Sequence, residues 1–475
     1  MELHSHVAAL SFLTSSHAAP LLSLIRHLAA HSPATYFSFF NIASCNSTIL
    51  SPFNKSQIPL PSNLRVYDVW DGVPEGYVFS GKFQEDFDLF LSTAKDTFHK
   101  SMKLAAEERG RRFTSLVTDA FLWFGGEIAE ELGGVPWIPF WTAGLNSLAA
   151  HVHTEALRGS TDGSKAEDVL MNIPGLEKAR VSDLPEGVVF GNLNSMFSEM
   201  LRKMGREILR ADAVVVNSFD ELQVQCMNGL KAKFKALLNV GPLDMVFPPA
   251  EQEDKYGCLH WLNDKTPNSV VYISFGTVVK PQAQEILSLA EALEDRRVTF
   301  LWAMKESEMA KLPEGFAERT EGIGKVVTWA PQKRVLSHDS VGIFITHCGW
   351  NSIMEGVAGN VAMICRPFFG DQRLNARAAE EVWGIGVQVR GGTLTKKGAL
   401  ECLEKTSDPA LWQGMRAAGE ALREAAERAA GEGGASRECF GVLVRMVTRG
   451  GNVDTVQKPC KDALPIEMGI ELETM

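Results

Sequence analysis

Three parts of this 475-residue chain carry residues that could do chemistry: a histidine near the start, an aspartate at a strand end, and a polar turn between an apolar run and a helix. His17 lies just after the apolar run His6–Phe12, in the polar stretch Leu13 to Ala19 with Ser15 and Ser16. An imidazole ordinarily titrates near pH 6.5 and can take a proton at neutral pH. A lone histidine in a loop is most often just solvated. Asp119 ends a second apolar run, Phe113–Thr118. If the two meet, the carboxylate accepts the second imidazole N–H, fixes the tautomer and stabilises the imidazolium, as in a hydrolase triad without its serine. The plainer role for Asp119 is to cap the segment that follows.

The polar turn lies further on. Val341–Thr346 is nearly unbroken apolar sequence, as expected of a strand buried on both faces of a parallel sheet. It runs into His347-Cys348-Gly349 and then Trp350-Asn351-Ser352, which can open a helix. Free backbone N–H groups and the positive end of the dipole make such a helix start an anion site. A second apolar run, Val361–Cys365, delivers Phe368 to Gln372 to the same sheet edge, where α/β sheets bind ligands. Ser352 and Glu355 also match the S-x-x-E capping box. Metal sites are poorly supported. His347 beside Cys348 lacks further ligands, and His151 and His153 would face apart on a helix. Asp86-Phe87-Asp88 is a DxD, but it falls in an amphipathic helical pattern and reads as a solvated face.

The elements that must position these residues alternate strand and helix, which implies doubly wound parallel sheets. Strands are expected at His6–Phe12, Thr35–Phe40, Leu64–Val69, Phe113–Thr118, Val135–Phe140 and Ala213–Asn217. Helices are expected at Pro20–Ala30, about Phe83 to Arg109, and Glu221 to about Leu237. After a Pro-rich acidic stretch at 242–254, read as a linker, come strands at Val270–Phe275, Val298–Trp302, Val326–Thr328, Val341–Thr346, Val361–Cys365 and Val387–Val389. Leu411–Ala430 is strongly helical. The length suits two domains. No G-x-G-x-x-G follows a strand, which disfavours a dinucleotide enzyme. A net charge of −11 argues against nucleic acid as a partner. No apolar run is long enough to insert in a membrane, and the first residues read as a strand and not a leader, so a cytoplasmic place is expected. The eight cysteines lack metal spacing and read as reduced thiols.

The stretch Trp329–Gln372 closely resembles the plant secondary-product glycosyltransferase signature, the nucleotide-sugar box of plant family 1 glycosyltransferases. It departs at Asn360-Val361-Ala362, where that family usually has Gly-Val-Pro. The phrases SSHAAPLLSL, DGVPEGYVF, FWTAGLNSL, GVVFGNLNSMFS and RPFFGDQRLN resemble flavonoid 3-O-glucosyltransferases in particular. The resemblance implies a GT-B fold, two Rossmann-like domains facing across a cleft: 1–241 for the acceptor, 255–435 for the UDP-sugar. A last helix, about 436–449, would return to the first domain, and 450–475 would be an extended tail. It makes His17 and Asp119 the base and its partner. It implies donor contacts from Trp329 (on uracil), Ala330, Gln332 and Glu355 (on ribose). Thr277, His347, Asn351 and Ser352 would hold the diphosphate, and Thr142, Asp371 and Gln372 the sugar, with Trp350 supporting the sugar or its loop. A Gln at the end of the box goes loosely with glucose. Acceptor contacts are implied for Ser15, Gln84, Phe121, His151, Phe197 and Phe369, aromatic walls suiting a flat aromatic acceptor. The expected reaction is inverting transfer of glucose from UDP-glucose, a co-substrate and not a cofactor, to a flavonoid hydroxyl, the 3-hydroxyl of a flavonol or anthocyanidin, by a metal-free monomer. The alternatives are another phenolic or triterpenoid acceptor, UDP-galactose as donor, or a silent nucleotide-sugar binder.

Overall fold

The structure, a computed structural model, describes residues 5–55, 59–80, 85–161, 164–170, 172–248 and 252–449. Two all-parallel sheets organise it. The first contains β1 (His6–Leu10), β2 (Tyr36–Ile42), β3 (Leu64–Val69), β4 (Ser115–Asp119), β5 (Trp137–Trp141), β6 (Val214–Val216) and β7 (Leu237–Asn239), in the order β3-β2-β1-β4-β5-β6-β7. The second contains β8 (Val270–Ser274), β9 (Thr299–Ala303), β10 (Gly324–Val327), β11 (Val341–Thr346), β12 (Ala362–Cys365) and β13 (Gly386–Gln388), in the order β10-β9-β8-β11-β12-β13. Helices cover both, and the central strands are almost wholly buried, which is why they read as continuous apolar runs. This is the α/β architecture of two Rossmann-like domains, the GT-B fold.

The strand order decides where ligands go. It reverses between β1 and β4 in the first sheet and between β8 and β11 in the second. At such a switch point the flanking loops leave in opposite directions and open a crevice at the carboxyl edge. His17 follows β1 and Asp119 ends β4; Gly276-Thr277 follows β8 and His347 follows β11. Each pair of suspect residues thus comes from the two strands flanking one crevice.

The helices used below are α1 (Ser15–His31), α2 (Glu85–Arg109), α3 (Leu145–Val152), α4 (Met196–Glu207), α5 (Gln332–Leu336), α6 (Trp350–Ala358), α7 (Gln372–Glu381), α8 (Pro409–Ala430) and α9 (Ala435–Arg449). α9 packs on the first sheet: Ser115 Oγ donates to Val447 O at 3.1 Å, and Ser5 bonds the Thr448 carbonyl. Four expectations need correction. The stretch Leu13–Ala19 is not all loop, because α1 begins at Ser15 with extended Thr14 before it. The amides of His17 and Ala18 already bond the Thr14 carbonyl, so Pro20 lies inside the helix instead of opening it. Leu237 belongs to a strand, one too short to show a period. The supposed linker contains a helical turn, Leu243–Val246. Finally, β12 begins at Ala362 because Asn360 is left-handed, at φ 46°. Among the described residues, six cysteines are buried with free thiols. The tail at 450–475 lies outside the described residues.

Candidate active site

On the first lobe, His17 Nδ1 lies 2.8 Å from Asp119 Oδ2. The carboxylate is fully buried and the imidazole is 19% exposed, so one edge of the ring remains reachable. Asp119 does not cap a helix, since the next one begins at Gly125 with Phe124 as its N-cap residue; its other oxygen accepts the Phe121 N–H at 2.9 Å and fixes the turn after β4. Thr142 Oγ1 is 3.1 Å from the same His17 nitrogen, so Thr142 meets the imidazole directly. A histidine held at Nδ1 by a carboxylate leaves Nε2 as the basic nitrogen.

Two aromatic rings flank the imidazole. Phe121 stands edge-on to His17 at 4.6 Å between centroids, and Phe12 lies at 5.4 Å. Phe12 in turn meets Phe87 at 5.7 Å, and Phe87 meets Phe197 of α4 at 6.2 Å. Phe87 therefore turns inward from between Asp86 and Asp88, as an amphipathic α2 requires. Phe121 also approaches Trp141, which packs on His151 at 5.6 Å. Burial pushes His151 down to about 4, and its buried Nδ1 has no hydrogen-bond partner among the described residues. Ser15 is half-buried in the first turn of α1, and Phe369 is exposed on the loop before α7. Gln84 lies outside the described residues. Phe12 and Phe87 were missed in the sequence, where neither carries a spacing of its own.

On the second lobe, α6 starts at Trp350 with Gly349 as its N-cap residue. Ser352 is therefore inside the helix and cannot form the capping box with Glu355. Glu355 instead accepts a 2.6 Å hydrogen bond from Gln332 Nε2, and Ser352 Oγ lies 3.3 Å from the same nitrogen. Gln332 Oε1 accepts from the Tyr272 hydroxyl at 3.1 Å. Burial raises the Glu355 carboxyl to about 7. The His347 ring lies between two glycines: a Cβ on Gly276 would stand 2.8 Å from it, and one on Gly349 only 2.5 Å. Burial lowers His347 to about 4, so it is a neutral donor or acceptor at physiological pH, and its buried Nδ1 has no partner among the described residues. Thr277 is exposed at the lip, its carbonyl bound by Lys305 Nζ at 3.2 Å. Trp329 is 43% exposed, which rejects a core role and leaves a ring face for stacking, while Ala330 beside it is buried.

At the end of the stretch, Asp371 Oδ2 accepts from Asn375 Nδ2 at 2.7 Å, and that nitrogen also donates to Cys348 O at 3.0 Å. Gln372 Oε1 accepts the Phe368 and Phe369 amides at 2.9 and 3.3 Å. Burial raises the Asp371 carboxyl; the Asn375 hydrogen bond and the field of His17 are among the influences pulling it down. Trp350 is 3% exposed and donates its indole N–H to Asn217 O across the lobes at 2.8 Å, so it wedges the lobes together and presents little surface to the pocket. The lobes meet where the chemistry would be: Asn351 Nδ2, in the first turn of α6, lies 3.5 Å from the carbonyl of Ser16, the residue before His17. Among the described residues no group of three or more His, Cys, Asp or Glu gathers into a metal site, and no helix is long and apolar enough to cross a membrane.

A sequence model of the family described as UDP-glucoronosyl and UDP-glucosyl transferase matches residues 81–412. The chain belongs to that family. Its relatives include an anthocyanidin 3-O-glucosyltransferase from Vitis vinifera, 49% identical over 448 residues, 94% of this chain and 97% of that one. A flavonol 3-O-glucosyltransferase from Arabidopsis thaliana is 47% identical, covering 93% and 97% of the two chains. A crystal structure of a UDP-glucose:anthocyanidin 3-O-glucosyltransferase in complex with UDP is 39% identical, covers 94% of this chain and 99% of that one, and superposes with a TM-score of 0.88.

Proposed function

We propose that this transferase moves glucose from UDP-glucose to a flavonoid hydroxyl, the 3-hydroxyl of a flavonol or anthocyanidin, with inversion. The observation that carries the reading is the His17–Asp119 dyad, which is flanked by the Phe12 and Phe121 rings and lies against the first turn of α6. Similarity to flavonol and anthocyanidin 3-O-glucosyltransferases over nearly the whole chain supports the acceptor class.

His17 Nε2 takes the proton of the acceptor hydroxyl as the oxygen attacks the anomeric carbon. The new C–O bond forms on the face opposite UDP while the bond to the diphosphate oxygen breaks, so the α-donor gives a β-glucoside. Asp119 holds the imidazole and stabilises the imidazolium. The departing diphosphate lies at the α6 start, where Asn351, Ser352, His347 and Thr277 offer dipoles and hydrogen bonds. Each charge–dipole contact contributes about 0.3–1 kcal/mol exposed and up to about 2 kcal/mol partly buried. In this reading no metal takes part. Trp329 stacks on uracil, Gln332 and Glu355 take the ribose hydroxyls, and Asp371 with Gln372 holds the sugar. Residues 1–241 with the helix at 436–449 form the acceptor lobe, 242–254 the crossing and 255–435 the donor lobe.

The test is a donor-by-acceptor panel with mass detection, run beside His17→Ala. Turnover should be highest with UDP-glucose and a 3-hydroxyflavonoid, and the variant should lose about two to four powers of ten. Near-wild-type turnover in the variant would reject His17 as the base, and preference for UDP-galactose or a triterpenoid would redirect the substrate class.

A further inference from the structure

Several hydrogen bonds join the lobes, and two of them lie beside the crossing. Trp350 donates to Asn217 O, and Trp383 donates to Leu222 O at 2.9 Å. Asn217 itself binds the Leu243 amide at 2.9 Å, so these ties act where the chain passes between lobes. One contact has another character. Arg377 of α7 approaches Asp183 of the first lobe through two bonds, Nε to Oδ2 at 2.9 Å and Nη2 to Oδ1 at 3.4 Å. Both side chains are nearly buried, at 12% and 7% exposure. A two-point guanidinium–carboxylate contact fixes orientation as well as distance. Asp183 is held in turn by the Arg180 N–H at 2.9 Å, and Arg377 by Glu381 at 2.6 Å on its own helix. Arg373, one turn earlier, reaches the Ser182 carbonyl at 3.4 Å.

The helix that carries Arg377 begins at Gln372, directly after Asp371. A helix is stiff over so short a span, so pinning one turn sets the position of its start. We propose that the Asp183–Arg377 pair is an interlobe latch that sets the start of α7, with Asp371 and Gln372, against the acceptor lobe. The inference rests on the transferase reading above, in which that helix start holds the sugar. Asp183 and Arg377 are then positioning residues for the transfer step, touching neither substrate. Nucleotide binding, confined to the second lobe, does not need them.

The experiment is a double-mutant cycle of Asp183→Asn and Arg377→Gln in the full chain, with kcat, the Kd for UDP by calorimetry, and backbone amide exchange as readouts. Each single variant should lower kcat by about 10- to 100-fold, the range a displacement near 1 Å produces. The double variant should be no worse than the poorer single, since the two act as one unit. UDP affinity should stay within about twofold of wild type. Arg377→Gln should speed amide exchange at residues 181–184, on the other lobe. Unchanged kcat, additive losses, or loss of UDP affinity in step with kcat overturns the latch. If wild-type protein transfers no sugar, the functional reading fails instead, and exchange at 181–184 still decides the latch: no change there overturns it. Should Arg377→Gln not fold, Arg377→Lys keeps the charge but loses the second bond; kcat equal to wild type in that variant overturns the proposal as well.

Discussion

Replacing Asp119 by Asn isolates one electrical element of the proposed mechanism. The substitution keeps size and an oxygen for the Phe121 N–H, so the turn after β4 should survive. It removes the charge facing His17 Nδ1 at 2.8 Å. It also lets an amide N–H point at that nitrogen, favouring the tautomer whose proton sits on Nε2, where no further proton can be accepted. Asp119 is fully buried and His17 is 19% exposed, so water screens the pair little. A unit charge pair about 4 Å apart at an effective dielectric near 20 interacts by about 4 kcal/mol. At about 1.36 kcal/mol per tenfold, that is close to three powers of ten in rate. Thr142 Oγ1, at 3.1 Å from the same nitrogen, can accept the Nδ1 proton in place of the carboxylate and makes this an upper figure. The assay is initial-rate UDP release over a range of acceptor concentrations, with UDP affinity and melting temperature measured in parallel. kcat should collapse while UDP affinity and melting hold. A loss smaller than tenfold, about 1.4 kcal/mol, would falsify the view that the carboxylate stabilises the imidazolium.

Other substitutions test other parts. Gly349→Ala should weaken UDP binding tenfold or more, about 1.4 kcal/mol, in calorimetry, because the new Cβ would stand 2.5 Å from the His347 ring while the backbone there (φ −60°) tolerates alanine; unchanged affinity would remove His347 from the nucleotide site. Asn360→Ala should lower the melting temperature more than Asn360→Gly, since alanine keeps neither the left-handed preference nor the 2.6 Å bond to Glu420, and the conformational part alone is worth about 1–2 kcal/mol; the reverse order would refute this. The Glu355 carboxyl, raised from 4.5 to about 7 by burial, makes the folded state hold a proton the unfolded chain has released, so it lowers stability as pH rises from 4.5 through 7. Urea unfolding of the unliganded protein at pH 5 and pH 8 should show a smaller fall for Glu355→Gln than for wild type, and equal falls would place the titration elsewhere.

What the sequence made legible follows the strength of each local signal. Strands β1, β4, β8 and β11 were readable because burial on both faces demands nearly unbroken apolar runs, and the motif residues hang from their ends. The two pairs of crevice residues could not be joined by sequence alone, since the order of strands in a sheet is a tertiary fact; only the resemblance linked His17 to Asp119. The start of α1 was misplaced because Pro20 imitates an opening residue while Thr14, a modest cap, does the opening. Glu355 shows the opposite failure. The S-x-x-E spacing was real, but Gly349 starts the helix and frees Glu355 for Gln332. Phe12, Phe87 and Asn375 went unread because an aromatic or amide side chain near a strand or helix gives no spacing of its own. Asp183 and Arg377 went unread for the same reason, compounded by their separation along the chain.

The proposed sugar end of the site has a property that neither residue carries alone. Gln372 Oε1 is committed to two backbone amides, at 2.9 and 3.3 Å, so its amide can offer a sugar only N–H donors. Asp371 is the complement, an acceptor whose second oxygen is tied to Asn375 at 2.7 Å. If the pair holds adjacent hydroxyls, Asp371 accepts from one and Gln372 donates to the other in a fixed arrangement, and inverting one hydroxyl breaks one bond while the other persists. A site that hydrogen-bonds a hydroxyl discriminates strongly when that group moves, since a buried polar group is then left unpaired. Gln372→Glu keeps the shape and reverses donor to acceptor, placing a carboxylate against the Phe368 and Phe369 amides and leaving no N–H for the sugar. Turnover with UDP-glucose should fall by at least tenfold, the effect of about 1.4 kcal/mol, with UDP affinity kept. If UDP-glucose and UDP-galactose fell by the same factor, Gln372 would hold the loop without reading the sugar.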